Sequence, residues 1–198
     1  MQATSYHHGN LSEALIQRAA DVIGEKGVEG ISLRSLARDL GVSHAAPSRH
    51  FQTKADLLAA VVRKGYKLIT EATMQAGAQA GDDPILRLNL MVKCGIRWAV
   101  ENRSWYLALM NPDVRHFADE DLKTALSDYY AMLTRACMDA QKAGMFSDRP
   151  TQPALLHGFA AVMGAQIIFT DDLISKTVGG VSNELIDEIA DLIVPLEK

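Results

Sequence analysis

Residues 31–56 contain two short helical patterns separated by one glycine, and this feature constrains the fold more than any other. Leu36 and Leu40 are spaced to share one face of a short helix. Gly41 is the residue type that ends a helix, and Ser43 is a typical N-cap for the next one. A helix, a tight turn and a second helix form a helix-turn-helix, whose second helix enters the major groove of DNA.

An ordinary αα-hairpin has the same order of elements, so the residues that follow must distinguish the two interpretations. Arg49 and His50 lie on the predicted second helix and can donate hydrogen bonds to phosphates or base edges. Thr53 and Asp56 predict a capping box at the start of a third helix. Lys54 falls in its first turn, where backbone N–H groups and the helix dipole favour an anion. These residues favour DNA binding.

Residues 10–60 resemble the N-terminal domain of the TetR family of bacterial transcriptional repressors. The stretches that carry the resemblance are Leu36-Ala37, Leu40-Gly41-Val42-Ser43, Arg49-His50-Phe51, and Lys54 with Leu57-Leu58. The stretches YHHG at residues 6–9 and VSHAAP at residues 42–47 are similar to one branch of that family. Two residues depart from the usual pattern. Ser48 replaces a common aromatic residue, and Pro47 predicts a short or bent second helix.

The resemblance implies which side chains contact DNA. Arg34 aligns with a residue that reads guanine, and an arginine can bind O6 and N7 of that base together. Ala45 and Ala46 would occupy the exposed first turn of the second helix, where a methyl group can touch a thymine methyl. Other positions match residues that bind the DNA backbone. The predicted DNA-binding residues are Ser32, Arg34, Ser43, His44, Ala45, Ala46, Ser48, Arg49, His50, Thr53 and Lys54.

Composition and charge agree with a soluble DNA-binding protein. The chain has 198 residues and is 48% hydrophobic, and no uninterrupted apolar run reaches the ~18 residues of a membrane span. The net charge is −4, but residues 1–65 hold eight Lys or Arg and six Asp or Glu, so the predicted DNA-binding part is basic. With no signal-peptide pattern and no C-x-x-C pair, we expect a cytoplasmic protein without membrane contact.

Helical periodicity recurs along the whole chain, which predicts an all-α protein. Residues 1–55 are predicted to be a three-helix helix-turn-helix DNA-binding domain, and residues 56–198 a helical effector-binding and dimerisation domain. The predicted helices span about residues 10–25, 33–40, 43–50, 54–79, 84–101, 104–110, 119–143, 151–172 and 182–196.

The second domain offers apolar surface for two kinds of partner. TetR-like proteins pair their last two long helices across a two-fold axis, which implies a homodimer here. Residues 154–169 are apolar nearly all round, and residues 185–193 carry an apolar stripe opposite an outward acidic face. A helix buried within one subunit would have a similar pattern. The predicted interface residues are Leu155, Phe159, Val162, Met163, Ile167, Leu185, Ile189 and Ile193.

Aromatic and methionine residues in the same domain suggest either a ligand pocket or an ordinary core. The resemblance favours a pocket, because TetR-like bodies usually bind a small effector, here an apolar or amphipathic molecule. The predicted pocket residues are Met91, Trp98, Trp105, Tyr106, Met110, Phe117, Tyr129 and His157. His157 could equally be an ordinary core histidine.

Two rival functions compete with that of a transcription regulator. Residues 41–45 approach the nucleophile elbow G-x-S-x-G of hydrolases, but that motif joins a strand to a helix, and here the glycine ends a helix. No phosphate-binding loop or H-E-x-x-H motif is present, so we expect no enzyme, no cofactor and no metal site. A helical small-molecule sensor that does not act through DNA is the alternative function.

Overall fold

The computed structural model describes residues 11–115 and 120–196, which contain ten α-helices, two short 3₁₀ turns and no strand. This confirms the predicted all-α class. The helices are α1 (Leu11–Lys26), α2 (Leu33–Asp39), α3 (Lys54–Ala78), α4 (Pro84–Glu101), α5 (Arg103–Met110), α6 (Pro112–Arg115), α7 (Glu120–Lys142), α8 (Thr151–Thr170), α9 (Asp172–Thr177) and α10 (Asn183–Ile193). The 3₁₀ turns are Val28–Gly30 and Pro47–Arg49.

The prediction of a second α-helix from Ser43 is wrong. The chain makes a turn closed by a hydrogen bond from the amide of Ala46 to the carbonyl of Ser43 (3.0 Å), followed by the 3₁₀ turn Pro47–Arg49. Pro47 has no amide hydrogen and crowds the carbonyl four residues before it, which is that of Ser43. The side chain of Pro47 is fully buried, so tertiary packing holds the proline where it interrupts a regular helix.

The predicted helix of residues 151–172 ends at Thr170, and the short helix α9 that follows it was not predicted. The carboxylate of Asp171 accepts hydrogen bonds from the amides of Leu173 (3.0 Å) and Ile174 (2.9 Å). Asp171 therefore acts as an N-cap that starts α9 directly after α8 ends.

The helices form two compact units. Unit 1 comprises residues up to 66 and residues 104–125, and unit 2 comprises residues 67–103 and those from 126 onward. Helix α3 contributes residues 54–66 to the first and 67–78 to the second. The division into functional domains at residues 55 and 56 stays a prediction, because unit 1 also contains the start of α3 and the residues of α5 from Ser104 onward.

In unit 1, α1 packs against α2 and against both 3₁₀ turns. Leu15 and Leu36 are fully buried, as are Leu57 and Leu58 at the start of α3. The apolar faces predicted from helical spacing thus pack together in one core. Trp105 and Leu109 of α5 are also buried in this unit.

In unit 2, α4 packs against both α8 and α10. Asn89, Lys93 and Arg97 follow one another at four-residue spacing along α4 and bind acidic residues of α10. Lys93 lies 2.9 Å and Asn89 2.7 Å from the Asp191 carboxylate, and Arg97 lies 2.7 Å from that of Asp187. This polar ladder fixes the position of α10 on α4.

The ladder corrects the prediction that the acidic face of α10 points outward. Asp187 and Asp191 face α4, and the apolar residues buried beneath α10 are Ile186, Ala190 and Ile193. The neighbouring position Leu192 remains 76% exposed. The buried face of α10 is therefore shifted by about one residue from the apolar stripe expected from its sequence. The shift places the carboxylates of Asp187 and Asp191 beside cations of α4.

Candidate nucleic-acid interface and effector site

Helix α2 is fixed at both ends by local hydrogen bonds. At its start, the amide of Ser35 donates to the Ser32 hydroxyl (3.0 Å), and the amide of Ser32 donates to the Ser35 hydroxyl (3.2 Å), which forms a capping box. At its end, Gly41 adopts φ 68°, and the amide of Val42 donates to the carbonyl of Ala37 (2.9 Å). This is a Schellman ending, which favours glycine at the left-handed position. The predicted glycine stop is therefore confirmed.

The exposed face of α2 carries a cationic cleft. Arg34 and Arg38 are one helical turn apart and, with Ser32, Ser35 and His44, line a cavity of about 290 Å³. Ser32, Arg34 and His44 were predicted from the sequence as DNA-binding residues. Ser35 and Arg38 were missed, although the four-residue spacing of the two arginines was a signal that both share one face.

An ion pair with Arg18 neutralises the carboxylate of Asp39 at the end of α2. The guanidinium of Arg18 on α1 lies 3.1 Å from the carboxylate of Asp39 and 3.3 Å from that of Glu25. Its hydrogen bond to Asp39 is the main reason that the pKa of Arg18 is raised above its usual value. Arg38 lies 3.9 Å from Asp39, and its side chain remains 76% exposed. Arg18 therefore neutralises Asp39 and leaves Arg38 available to an anion.

The segment that replaces the second helix presents polar residues outward. Pro47 and Phe51 are buried and hold the segment against the core of unit 1. The exposed residues of this segment are Ser43, His44, Ala45, Ser48, Arg49 and His50, whereas Ala46 is half-buried. The structure thus brings the predicted contacts of residues 43–50 to one surface segment, although in a turn and not in a helix.

The start of α3 has the predicted capping box. The amide of Thr53 donates to the Asp56 carboxylate (2.8 Å), and the amide of Asp56 donates to the Thr53 hydroxyl (3.1 Å). The ammonium group of Lys54 donates to the carbonyl oxygen of Val28 at 2.7 Å. Lys54 is therefore tethered to the turn before α2, and a contact with phosphate stays a prediction.

The predicted pocket residues are distributed over several sites. Trp105 and Tyr106 are buried in unit 1, to which Met110 also belongs. Phe117 lies outside the described residues, as does the YHHG stretch at residues 6–9. The others belong to unit 2, where His157 is exposed on α8 and Trp98 lines a polar surface cleft. Met91 and Tyr129 line a common cavity.

The predicted interface residues are also divided. Leu155, Phe159 and Val162 line a cavity inside unit 2, and Ile193 is buried. Leu185 and Ile189 are half-buried. Met163 and Ile167 are exposed on α8, where Leu156 and Ile168 are exposed as well. Leu156 was not predicted as an interface residue, because α8 is apolar on every side and its sequence does not show which face is exposed.

Helix α8 is long and apolar enough to cross a membrane by length and composition, and 17% of the apolar 18-residue window within it is buried. Among residues 11–115 and 120–196, α8 is the one helix that meets this criterion of length and apolar composition. The same length and composition occur in the core helices of soluble proteins. Its outer face therefore requires a cover, but composition does not identify that cover.

Comparison with known proteins agrees with the helix-turn-helix geometry. Residues 15–61 match the family described as "Bacterial regulatory proteins, tetR family". These residues form a TetR-type N-terminal domain. The match contains α1, α2, the segment 43–50 and the start of α3, so it coincides with the structural elements that position the cationic cleft. No curated protein sequence matches the chain.

Solved structures extend the similarity to the whole fold. A protein of unknown function from Rhodococcus sp. RHA1 is 27% identical, with 96% of this chain and 97% of that chain covered at a TM-score of 0.76. AibR, solved with isovaleryl coenzyme A and operator DNA, is 20% identical (94% and 99% covered, TM-score 0.76). The TetR family transcriptional regulator PfmR from Thermus thermophilus is 22% identical (93% and 99% covered, TM-score 0.67). The chain has a TetR-like fold.

Proposed function

We propose that this protein is a homodimeric, cytoplasmic transcription regulator that represses its target genes by binding a palindromic DNA operator and is released by a small-molecule effector. The observation that carries the proposal is the cationic cleft of Arg34, Arg38 and His44 within the TetR-type domain. Arginines at this spacing can bind a guanine edge and a phosphate side by side.

The proposed dimer rests on the apolar face of α8. Leu156, Met163 and Ile167 are separated by seven and four residues, so they form one stripe along the helix. Helix α10 packs against α8 and adds the exposed Leu192. A second copy covers such a stripe by pairing the same helices across a two-fold axis. The two DNA-binding domains of such a dimer would lie one turn of DNA apart, about 34–36 Å, and would therefore bind a palindromic operator.

Release by an effector is proposed as a shift between two conformers of the dimer. An effector lowers operator affinity only to the extent that it binds the DNA-incompetent conformer more tightly. Helix α3 is suited to transmit this change, because it runs without interruption from unit 1 into unit 2. AibR, solved in complex with isovaleryl coenzyme A and operator DNA, supports the proposal that a protein of this fold can bind a small molecule and an operator.

Selection of genomic DNA fragments with the purified protein tests operator binding. The best fragment is then titrated over a range of salt concentrations with wild type, Arg34→Ala and Lys54→Ala, and with Arg149→Ala as an exposed control in unit 2. We expect Arg34→Ala to weaken the selected site by about 1–3 kcal/mol and to relax its sequence preference. Lys54→Ala should weaken all sequences alike and reduce the salt slope by about one.

Only weak binding without sequence preference would contradict the proposal. It would favour the alternative function, a helical sensor of small molecules that does not act through DNA. A selective site that an effector leaves unchanged in affinity would instead contradict the release mechanism alone.

A further inference from the structure

Unit 2 encloses a small apolar cavity between α4, α7, α8 and the end of α10, with a volume of about 70 Å³. The polar residues in its lining are Tyr129, Cys137 and Gln166, and none of the described residues that line it is charged. The Gln166 amide donates to the carbonyl of Gly95 at 2.9 Å. A charged group in this inner cavity would lose its hydration without gaining an ionic partner, so the cavity selects uncharged groups.

A second, larger cavity of about 550 Å³ lies between α3, α4 and α7. Arg87 and Arg135 line it together with Asp128 and Asp139. The Asp139 carboxylate lies 3.1 Å from the ammonium group of Lys142, outside the cavity lining. When Lys142 is counted with Asp139, the cavity and its rim carry one net positive charge, and the guanidinium groups of Arg87 and Arg135 offer hydrogen-bond donors to an anion.

Met91 lines both cavities and is 4% exposed. A methionine side chain has three rotatable bonds and adapts its shape readily. It packs beside Gly77, where an added Cβ atom would lie 3.0 Å from Cγ and 3.2 Å from Sδ of Met91. Met91 is therefore the residue common to both cavity walls, and a change of its flexible side chain is the simplest way for one ligand to reach both cavities.

We propose that the two cavities bind the two ends of one amphipathic effector. A short uncharged hydrocarbon end enters the inner cavity past Met91, and a carboxylate end stays in the outer cavity beside Arg87 and Arg135. This inference rests on the proposed function and specifies the chemistry of its effector. The size of the inner cavity limits the hydrocarbon end, and the arginines determine the preference for an acid over an alcohol or an amine.

Calorimetric titration of the full chain without DNA tests the proposal. The probes are straight-chain monocarboxylates from butanoate to dodecanoate and the primary alcohols and amines of the same lengths. We expect affinity to rise with chain length and then level off once the inner cavity is filled. At equal length the acid should bind more tightly than the alcohol, and the alcohol more tightly than the amine.

Gly158→Leu examines the inner cavity. Gly158 lines it, and an added Cβ atom there would meet no atom within 4 Å, so the backbone accommodates a side chain. We expect a leucine at this position of the cavity wall to reduce the volume that a hydrocarbon chain can occupy. We expect at least a tenfold loss of affinity for the acids and no further dependence on chain length. Gly158→Ala is the intermediate change and should lose less affinity than Gly158→Leu. Circular dichroism and thermal unfolding establish that both variants are folded.

Arg135→Gln examines the outer cavity. It should reduce the affinity for acids several-fold and leave that for alcohols unchanged. Arg149→Gln is the matched control, since Arg149 is exposed in the same unit and lines neither cavity. Equal binding by wild type and folded Gly158→Leu, an unchanged acid preference in Arg135→Gln, or no saturable binding by any probe would overturn the proposal.

These outcomes are separable from those of the proposed function, because no DNA is present in the titration. A protein that binds an operator but none of these probes retains its regulatory role and loses this effector chemistry. A protein that binds the acids but no operator supports the inferred effector chemistry and contradicts the regulatory role.

Discussion

The two units differ in where their large apolar side chains lie. In the described part of unit 1, every large apolar residue is at least partly buried, whereas unit 2 exposes eleven of them. They are Met74, Met138, Leu156, Met163, Ile167, Ile168, Leu173, Ile174, Val178, Leu192 and Leu196. Most lie on α8, α9 and α10 or just beyond them.

This difference shows that the two units require different partners. Unit 1 has a closed core and an exposed face of arginine, histidine and serine, which suits a hydrated, negatively charged partner. Unit 2 has an apolar face larger than its own helices cover, which suits a protein surface of the same kind. Three experiments with substituted proteins can break or sharpen this distinction.

The largest expected effect is on association. Ile167 is 51% exposed on α8, and Ile167→Glu would place a carboxylate in the proposed dimer interface. An unpaired charge buried there should weaken the dimer by about 2–5 kcal/mol. Sedimentation over a range of protein concentrations should show a dimer for wild type and a monomer for the variant.

Gln152→Glu is the control for added charge, because Gln152 is exposed near the start of the same helix. It should leave the dimer intact. A wild-type protein that stays monomeric at high concentration would contradict the proposed dimer, and the exposed face of α8 would then have to bind a different partner.

A pair of glycine substitutions compares the packing of the two units. In unit 1, a Cβ atom at Gly24 would lie 2.7 Å from the hydroxyl and 2.9 Å from Cα of Ser104, so Gly24→Ala should destabilise the protein by about 1–3 kcal/mol. In unit 2, Gly158 is helical and has open space around it, so Gly158→Ala should stabilise by about 0.5–1 kcal/mol. Urea unfolding followed by circular dichroism measures both, and effects of the same sign would refute the packing difference.

The smallest effect concerns the ladder between α4 and α10. Hydrogen bonds from Lys93 and then Asn89 lower the pKa of Asp191. A carboxyl group whose pKa is lowered by folding contributes stability above its unfolded value, about 3.9, and loses that contribution as the pH falls through the folded value. Asp191→Asn should thus destabilise by less than about 1 kcal/mol at pH 7, because the pair is partly exposed.

The stability difference between wild type and Asp191→Asn should shrink as the pH falls below about 4. Glu188→Gln, an exposed change on the same helix, should have little effect at any pH. A penalty at Asp191 that is independent of pH would mean that the ladder acts through shape and not through charge.

Much of unit 1 could be predicted because its signals are local. Gly41 and Thr53 determine their helix ends through bonds to residues no more than five positions away. The segment 43–50 could not be predicted fully, because the buried position of Pro47 depends on packing against α1 and α2. A cap-like serine before a proline does not reveal whether a helix or a 3₁₀ turn follows.

Unit 2 was harder to predict because periodicity shows that a residue is buried but not against which neighbour. Trp105 and Tyr106 were placed with Met91 in one pocket, yet they are buried in the core of unit 1. Similarly, the apolar residues of α8 and α10 suit both an internal core and an interface. Which side of α10 faces α4 depends on the ion pairs that Lys93 and Arg97 form with it. These residues are distant in the sequence from their partners on α10, so the pairs could not be predicted.

The bond between the Lys54 ammonium and the Val28 carbonyl would lower the entropic cost of the proposed contact with DNA. A free lysine side chain loses about 2 kcal/mol of rotamer entropy when it is immobilised. Here folding has already immobilised it, and an ammonium group has two further N–H donors beside the one that Val28 accepts. If Lys54 binds phosphate as proposed, the DNA backbone meets a lysine that is already in place, and little additional ordering accompanies the contact.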